Sequence, residues 1–468
     1  MSPPLALAQD PGQDAAPHSA QGPAQDSAQP IAQGSATITL DEARAVARQA
    51  LYAGRFDLAR QLAMGLLQAD PQDPYAYAVL AAAHSRLEDP KLARAAARLS
   101  YKYSTPGVEK FAAARTAASI AYQQERPTVS QAWLRLAANH SETDQQEKQI
   151  ATDYRRVRSA NPLSFNINIS VAPSDNVNNG TDNVLEVING VPTFGFYRGS
   201  SRALSGTVGV FDARLRYRLA QSQTSRTSAT GRVYTRQVDL SGDAQRLAPN
   251  INNSDLASTY VETGLDHTRA LGARANTITV GGALGASWSG GNRSYDFTKV
   301  NLSRGVQVSP ASRLTFRGGA ERRFSTLANT RDVDVLTLGA SLTHRLDRGD
   351  KVYLGLTVQD VGGDFVNAEY QTASLRASYT FAKQVGPMQI TTGLTFGYTD
   401  YDDYRLVRPV EGGREDESVY GDVSLFFADY DFAGFAPTVR LRSGRRSSNV
   451  NRFEISETTI TLGIQSKF

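Results

Sequence analysis

Two hydrophobic periods divide the chain. From Thr39 to about Ser159 apolar residues return every three to four positions, and from Leu163 to Phe468 they return every second position. The first spacing marks amphipathic helices and the second marks strands with one apolar and one polar face. Thr39 and Glu42 form a capping box at the start of the helical region. A first helix runs through Ala43, Val46, Ala47, Ala50 and Leu51, and Gly54 breaks it. A second carries Phe56, Ala59, Leu62, Ala63 and Leu66 and ends before Pro71. Asp73-Pro74 and Asp89-Pro90 read as N-cap and N1 pairs. Leu58-Ala59-Arg60 returns as Leu92-Ala93-Arg94, a shift of 34 residues, which is the tetratricopeptide period. A third helical pair falls around Phe111 to His140. A last helix near Thr143 to Val157 leads into Asn161-Pro162, where helix should stop.

In the second region, Phe165, Ile167, Ile169 and Val171 alternate with Asn166, Asn168 and Ser170. Phe211, Ala213, Leu215, Tyr217 and Leu219 oppose Asp212, Arg214, Arg216 and Arg218. Leu336, Leu338, Ala340 and Leu342 oppose Thr337, Gly339, Ser341 and Thr343, and Ala373, Leu375, Ala377, Tyr379 and Phe381 oppose Thr372, Ser374, Arg376, Ser378 and Thr380. The pattern repeats through about fourteen segments, each long enough to cross a bilayer when tilted. Long connections at 173–203, 238–254 and 400–417 contrast with tight ones at 270–274, 309–312, 347–350 and 382–386. Short turns on one side and long loops on the other belong to outer-membrane barrels. The expected fold class is therefore α plus transmembrane β: a tetratricopeptide-like helical domain, then a roughly fourteen-stranded antiparallel outer-membrane β-barrel. No stretch reaches the ~18 consecutive apolar residues of a membrane-spanning helix, so a bilayer could be crossed only by a closed barrel.

The expected domains are 1–8, the remnant of a secretory signal (Ala6-Leu7-Ala8 before Gln9-Asp10); 9–37, an Ala/Gln/Ser/Gly/Pro linker; 38–160, the helical domain, on the periplasmic side; and 161–468, the barrel. An even strand number returns both barrel ends to one side. Cysteine is absent and the five histidines are scattered, which excludes thiolate chemistry and argues against a metal centre. The net charge of +4 comes with 21% charged residues of both signs, so nucleic acid is not an expected partner.

No nucleophile elbow, Walker loop, zinc-protease helix or dinucleotide fingerprint occurs, and His267 and His344 fall on the apolar, lipid-facing register. The expectation is a protein without enzymatic activity or cofactor. Asp175, Asn179, Gly180 and Glu186 match part of a calcium loop, but Val177 stands where the third ligand belongs; a polar loop is the plainer reading. Arginine is rich on the polar face: Arg214, Arg216, Arg218, Arg317, Arg323, Arg440 and Arg442. Glu262, Asp266, Glu321 and Asp422 are the candidate counter-charges. Paired charges filling the lumen are favoured slightly over an anion path.

The chain ends Thr461-Leu462-Gly463-Ile464-Gln465-Ser466-Lys467-Phe468. Thr461, Gly463 and Phe468 resemble the terminal signal read by the barrel-assembly machinery, with Ser466 as a departure. The barrel's opening, Asn161-Pro162-Leu163 through Pro173-Ser174-Asp175-Asn176-Val177-Asn178, resembles that of the surface lipoprotein assembly modulator (Slam) family, whose Asn-x-Asn motif Asn176 and Asn178 match. The resemblance spans roughly residues 40–468 and rests on architecture and that one motif. It implies an outer-membrane factor that delivers a client lipoprotein or related secreted protein to the cell surface, with the helical domain engaging the client or its periplasmic chaperone. The alternatives are a polysaccharide-export porin and a diffusion porin with a helical adaptor.

Overall fold

The computed structural model describes residues 38–466 apart from 328–330, 364, 431 and 433–434. The expected signal remnant, the linker and Phe468 lie outside the described residues. The chain divides into two units at Ala160.

The first unit holds seven helices: α1 (Leu40–Tyr52), α2 (Phe56–Ala69), α3 (Pro74–Arg86), α4 (Pro90–Tyr103), α5 (Val108–Gln123), α6 (Pro127–Ala138) and α7 (Asp144–Ala160). They pack as sequential pairs, α1 with α2, α3 with α4 and α5 with α6, and α7 closes against α6. The capping box forms: the Glu42 N–H donates to Thr39 Oγ1, and the Thr39 N–H donates to Glu42 Oε2. Asp73 caps α3 through the N–H groups of Tyr75 and Ala76. The expected cap at Asp89 does not form; its carboxylate lies 3.7 Å from His84 Nδ1.

The 34-residue repeat has a physical basis in the turns. Gly54 and Glu88, 34 positions apart, both adopt left-handed backbone (φ 73° and 61°), as does Glu125 (φ 56°). At each, the next N–H returns to the carbonyl five residues back: Arg55 to Ala50, Asp89 to His84, Arg126 to Ala121. This is the Schellman end of a helix repeated once per pair. The repeated tripeptide contributes its small residue to the core, since Ala59 and Ala93 are fully buried while Leu58 and Leu92 are exposed. The core is mostly alanine, with Val79, Leu80 and Ile120, so the helices approach closely.

The second unit is a closed antiparallel barrel. Its strands are β1 (Leu163–Ser174), β2 (Gly206–Gln221), β3 (Ser225–Leu240), β4 (Ser258–Leu271), β5 (Ala273–Ser289), β6 (Asn292–Ser309), β7 (Ser312–Ser325), β8 (Val333–Arg345), β9 (Lys351–Gly363), β10 (Tyr370–Thr380), β11 (Gln389–Tyr401), β12 (Arg414–Phe426), β13 (Phe435–Ser448) and β14 (Ile455–Ser466). Each pairs with its neighbours in sequence, and β14 closes on β1. The register keeps one face apolar around the whole wall. Phe165 faces Leu215, Val233 faces Val261, Leu338 faces Val358, and Leu441 faces Ile460.

These outward side chains are exposed, while inward Phe297, Val335 and Val361 are buried. An apolar exterior around a wet interior is the inverse of a soluble barrel and matches a lipid-facing one. The near rim carries the start of β1, the end of β14 and compact turns such as Gly272 and 310–311. The far rim carries the segments 175–205, 241–257 and 402–413. The alternation expected from the sequence is not strict, since the near-rim connection 381–388 is longer than the far-rim connections 364–369 and 449–454. β5 and β6 join at the far rim through Gly290-Gly291, whose positive φ values (59° and 79°) suit a two-residue hairpin. The long segments are also more ordered than plain loops. The first holds a hairpin (Leu185–Ile188 with Val191–Phe196), the second a short helix (Gly242–Leu247), and the third pairs Tyr404–Arg405 with Pro409–Val410.

Candidate functional site: the barrel lumen and its far mouth

Alternation fixes which side chains enter the lumen. Arg214 on β2 sits opposite Asn166 and Arg232, so Arg214, Arg216 and Arg218 all face inward. Arg440 and Arg442 on β13 oppose Thr461 and Thr459 of β14 on the same face. All five arginines share the inward parity of their strands.

The four expected acids each hold a cation. Asp266 meets Arg216 at 3.3 Å and Glu321 meets Arg323 at 2.6 Å. Glu262 meets Lys299 and also accepts from the Tyr260 hydroxyl. Asp422 meets two guanidiniums, Arg376 at 2.8 Å and Arg440 at 3.1 Å. Sequence reasoning put Asp212 and Arg376 on the polar face without assigning them a partner, and it did not name Lys299 or Arg232. Asp212 joins Arg232 (2.9 Å) and Arg214 (3.1 Å). The signal was the same alternation, because Arg232 and Asp212 share the inward parity of residues already named. Arg442 stacks on the Tyr420 ring, 4.1 Å from its centroid, and the Arg218 Nη1 group donates to Gln221.

The pairing is lopsided in depth. Asp212 and Asp422 side chains are 16% and 4% exposed, whereas Arg214, Arg216 and Arg440 are 59%, 51% and 45% exposed. The carboxylates lie under their partners, against the wall, and the guanidiniums reach into water. At these positions the lumen is therefore lined mainly by solvent-exposed positive charge. Such pairs, open to solvent on the cation side, contribute only ~0–1 kcal/mol each to stability. Their effect on the electrostatic potential of the lumen is larger, because a low-dielectric wall focuses the field.

The far mouth is narrowed by its own loops. Val177 and Leu204 from the first loop, with Ala244 and Ala248 from the second, pack on Val238 and Leu240 of β3. Arg236 fastens this cover by donating to the carbonyls of Leu256 and Val177. Asn176 and Asn178 act here. Asn176 exchanges two hydrogen bonds with the backbone of Gly180. Asn178 donates to the carbonyls of Ser200 and Arg202 and accepts from the Leu204 N–H. The Asn-x-Asn motif is thus a clasp that folds the first loop back on itself. Glu186 accepts from Thr193 within the hairpin, and no cluster of three metal-ligating side chains occurs among the described residues.

A second cluster joins the loop 402–413 to the last loop. Buried Arg414 pairs with Asp416 and lies over the rings of Phe453 (3.3 Å), Tyr401 (4.6 Å) and Tyr404 (5.2 Å). Asn451 ties the first loop to the last: its Nδ2 donates to Leu185, and its Oδ1 accepts from the Val187 N–H and the Tyr197 hydroxyl. Burial pushes the Tyr197 hydroxyl up to about 12, with Glu186 adding to the shift.

The other singled-out residues fall on the wall. Thr461 and Gly463 face inward, while Ile460, Leu462 and Ile464 face outward. A Cβ on Gly463 would lie 3.0 Å from the Ile169 carbonyl oxygen and from Thr438 Oγ1, so glycine permits close approach of β14 to β1. His267 and His344 face outward, beside Thr227 (2.9 Å) and Ser312 (2.8 Å).

No protein-family model matches the chain, and no curated protein matches it. Solved structures with a likeness to it are bacterial outer-membrane proteins. A loop-L8 deletion mutant of OmpT from Vibrio cholerae has 10% identity and a TM-score of 0.32, covering 65% of this chain and 99% of that one. A BenF-like porin from Pseudomonas fluorescens Pf-5 has 10% identity and a TM-score of 0.35, covering 65% and 98%. OccD3 from Pseudomonas aeruginosa has 11% identity and a TM-score of 0.33, covering 65% and 90%. Similarity at this level carries no information about solute or mechanism.

Proposed function

We propose that the chain is an outer-membrane transport protein whose barrel provides a hydrated, anion-favouring passage. The observation that carries this reading is the depth asymmetry of the lumen, with carboxylates held at the wall and half-exposed guanidiniums facing the water. A positive lumen draws anions in and retards cations of equal size. In this reading the far-rim loops set the size limit, and the near rim, where both barrel ends lie, is periplasmic. The porin role rests on swelling of liposomes that contain the full chain. Small carboxylated solutes should enter several-fold faster than ammonium-bearing solutes of matched size. Equal rates, or no permeation at all, would contradict the passage.

A second reading, delivery of a lipoprotein or other secreted client, is favoured by the helical unit. Its paired helices repeat the same turn, as tetratricopeptide stacks do. A groove of about 460 Å³ also opens between α5, α6 and α7, lined by Phe111, Arg115, Leu134, Gln146 and Asp153 among others. An apolar floor beside an Arg115–Asp153 ion pair (2.9 Å) suits a peptide of the client or of its chaperone. Surface proteolysis of a candidate client in cells with and without the gene tests it. Unchanged client exposure would count against delivery.

A further inference from the structure

Outward positions on β4, β5 and β6 are mostly apolar, with Leu265, Val280, Leu284, Val300 and Leu302 exposed there. Toward the near rim the same face carries two cations. Arg269 lies opposite Ile278, and Ile278 lies opposite Arg304, so two arginines stand on the outer face on either side of one isoleucine. Two strand spacings put their Cα atoms ~10 Å apart, close enough for both side chains to meet one anion. Arg304 leans toward that gap, donating from Nη1 to the Thr277 carbonyl at 3.4 Å. Among the described residues neither arginine has an acidic partner. Outward Arg322 on β7 differs, with Asp332 at 3.9 Å and Asp334 at 3.7 Å. Like charges at the edge of hydrocarbon repel through a poor dielectric, and a shared anion removes that cost.

Beyond the cations the wall is shaped for a chain. Gly282, the outward position between Val280 and Leu284, lies opposite Leu265 on one side and Val300 on the other. A Cβ there would meet only the Lys299 carbonyl oxygen, at 3.9 Å, so the position is an open notch in an apolar surface. Four residues of strand separate Ile278 from Gly282, which is ~13 Å along β5.

We propose that this face binds an anionic phospholipid of the near-rim leaflet, with its phosphate between Arg269 and Arg304 and an acyl chain in the Gly282 notch. The order along β5 is cations, isoleucine, apolar notch, which is the order of phosphate, glycerol ester and acyl chain in such a lipid. Guanidinium forks match phosphate oxygens, and long arginine side chains tilt to the headgroup level while their stems stay on apolar surface. Two uncompensated positive charges favour a headgroup of net negative charge over a zwitterionic one. A free inorganic anion would use the cations and leave the notch empty. The site lies on the outside of the barrel, so it goes beyond the passage and does not depend on it.

Electron spin resonance on the full chain in phosphatidylcholine vesicles tests the site, with phosphatidylglycerol and phosphatidylcholine spin-labelled at mid-chain as the two probes. The immobilised fraction of each probe reports its association with the barrel. The wild type should hold phosphatidylglycerol several-fold better than phosphatidylcholine. Arg269→Gln with Arg304→Gln should bring the two probes close to equality, and Gly282→Leu, which fills the notch and keeps both cations, should also lower the preference. Arg348→Gln with Lys383→Gln removes the same charge from two near-rim connections and should keep it. Inorganic phosphate, added at constant ionic strength, should leave it unchanged. Heat-modifiable mobility confirms that each variant is folded in the vesicle. Equal association of both probes with the wild type, a preference that survives loss of Arg269 and Arg304, or one that falls equally in the Arg348 and Lys383 control would each overturn the proposal. So would an unchanged preference in Gly282→Leu or displacement by inorganic phosphate, since either would leave a simple anion site without a lipid chain.

Discussion

Leu338→Arg tests the facing of the wall at its most demanding point. Leu338 lies at the middle of β8, between Gly318 on β7 and Val358 on β9, and its side chain is 57% exposed on the outside of the barrel. A guanidinium there would sit in hydrocarbon, at a cost of ~2–4 kcal/mol at mid-bilayer. That corresponds to a loss of roughly 30-fold to several hundred-fold in the folding equilibrium. The neighbouring residue supplies the control. Thr337 points inward, where Gln359 Nε2 donates to its hydroxyl, and an arginine there would join the hydrated cations of the lumen. Urea titration in lipid vesicles, read by heat-modifiable mobility, should show Leu338→Arg shifted to much lower denaturant and Thr337→Arg nearly unchanged. Equal stability of the two variants, or damage confined to Thr337→Arg, would refute the inside–outside assignment.

Three further outcomes follow from particular contacts. Asp422→Asn removes the carboxylate shared by Arg376 and Arg440. It should cost about 1–3 kcal/mol, less than a fully dry pair because both guanidiniums can reach water, and the urea midpoint should fall. The same change adds positive charge to the lumen, so anion preference in a bilayer recording should rise. Tyr197 is held protonated by burial, its hydroxyl raised from 10.0 to about 12. A folded-state value above the unfolded one means that stability is fully present below pH 10 and is lost as pH rises toward 12. Tyrosine absorbance should therefore titrate late at this site, and protease cleavage of the first loop should begin only within that window. Glu88→Gly relieves a left-handed residue at a helix end and should stabilise α3 and α4 by about 0.5–1 kcal/mol, net of the added chain entropy. Slower local hydrogen exchange in α3 would show it, and faster exchange would contradict the turn assignment.

Much of this architecture was legible because both kinds of element bury or expose one face only. The two-residue period alone placed Arg214, Arg216, Arg218, Arg440 and Arg442 on the inner face and Leu338 and Leu375 on the outer one. It could not choose partners, since pairing across the lumen depends on strand register. Thus Asp422 and Arg376, two strands apart, were both placed on the polar face, but their pairing was not legible. Local cap signals succeeded where only the helix end was at stake, as at Thr39 and Asp73. At Asp89 the cap signal was present but the carboxylate makes no cap and lies 3.7 Å from His84 Nδ1, five residues earlier. Asn176 and Asn178 stood out as a motif, but their work as a clasp follows from the return of Ser200–Leu204 to the same place, a long-range contact without local periodicity.

The most direct test of the central claim, that the apolar stripe of the barrel meets lipid, is fluorescence quenching by brominated acyl chains. The two native tryptophans, Trp133 and Trp288, are replaced by phenylalanine, and one tryptophan is introduced at position 338 or 337. Bromine at mid-chain should strongly quench Leu338→Trp and leave Thr337→Trp almost untouched. Equal quenching at both positions, or none at position 338, would contradict the account.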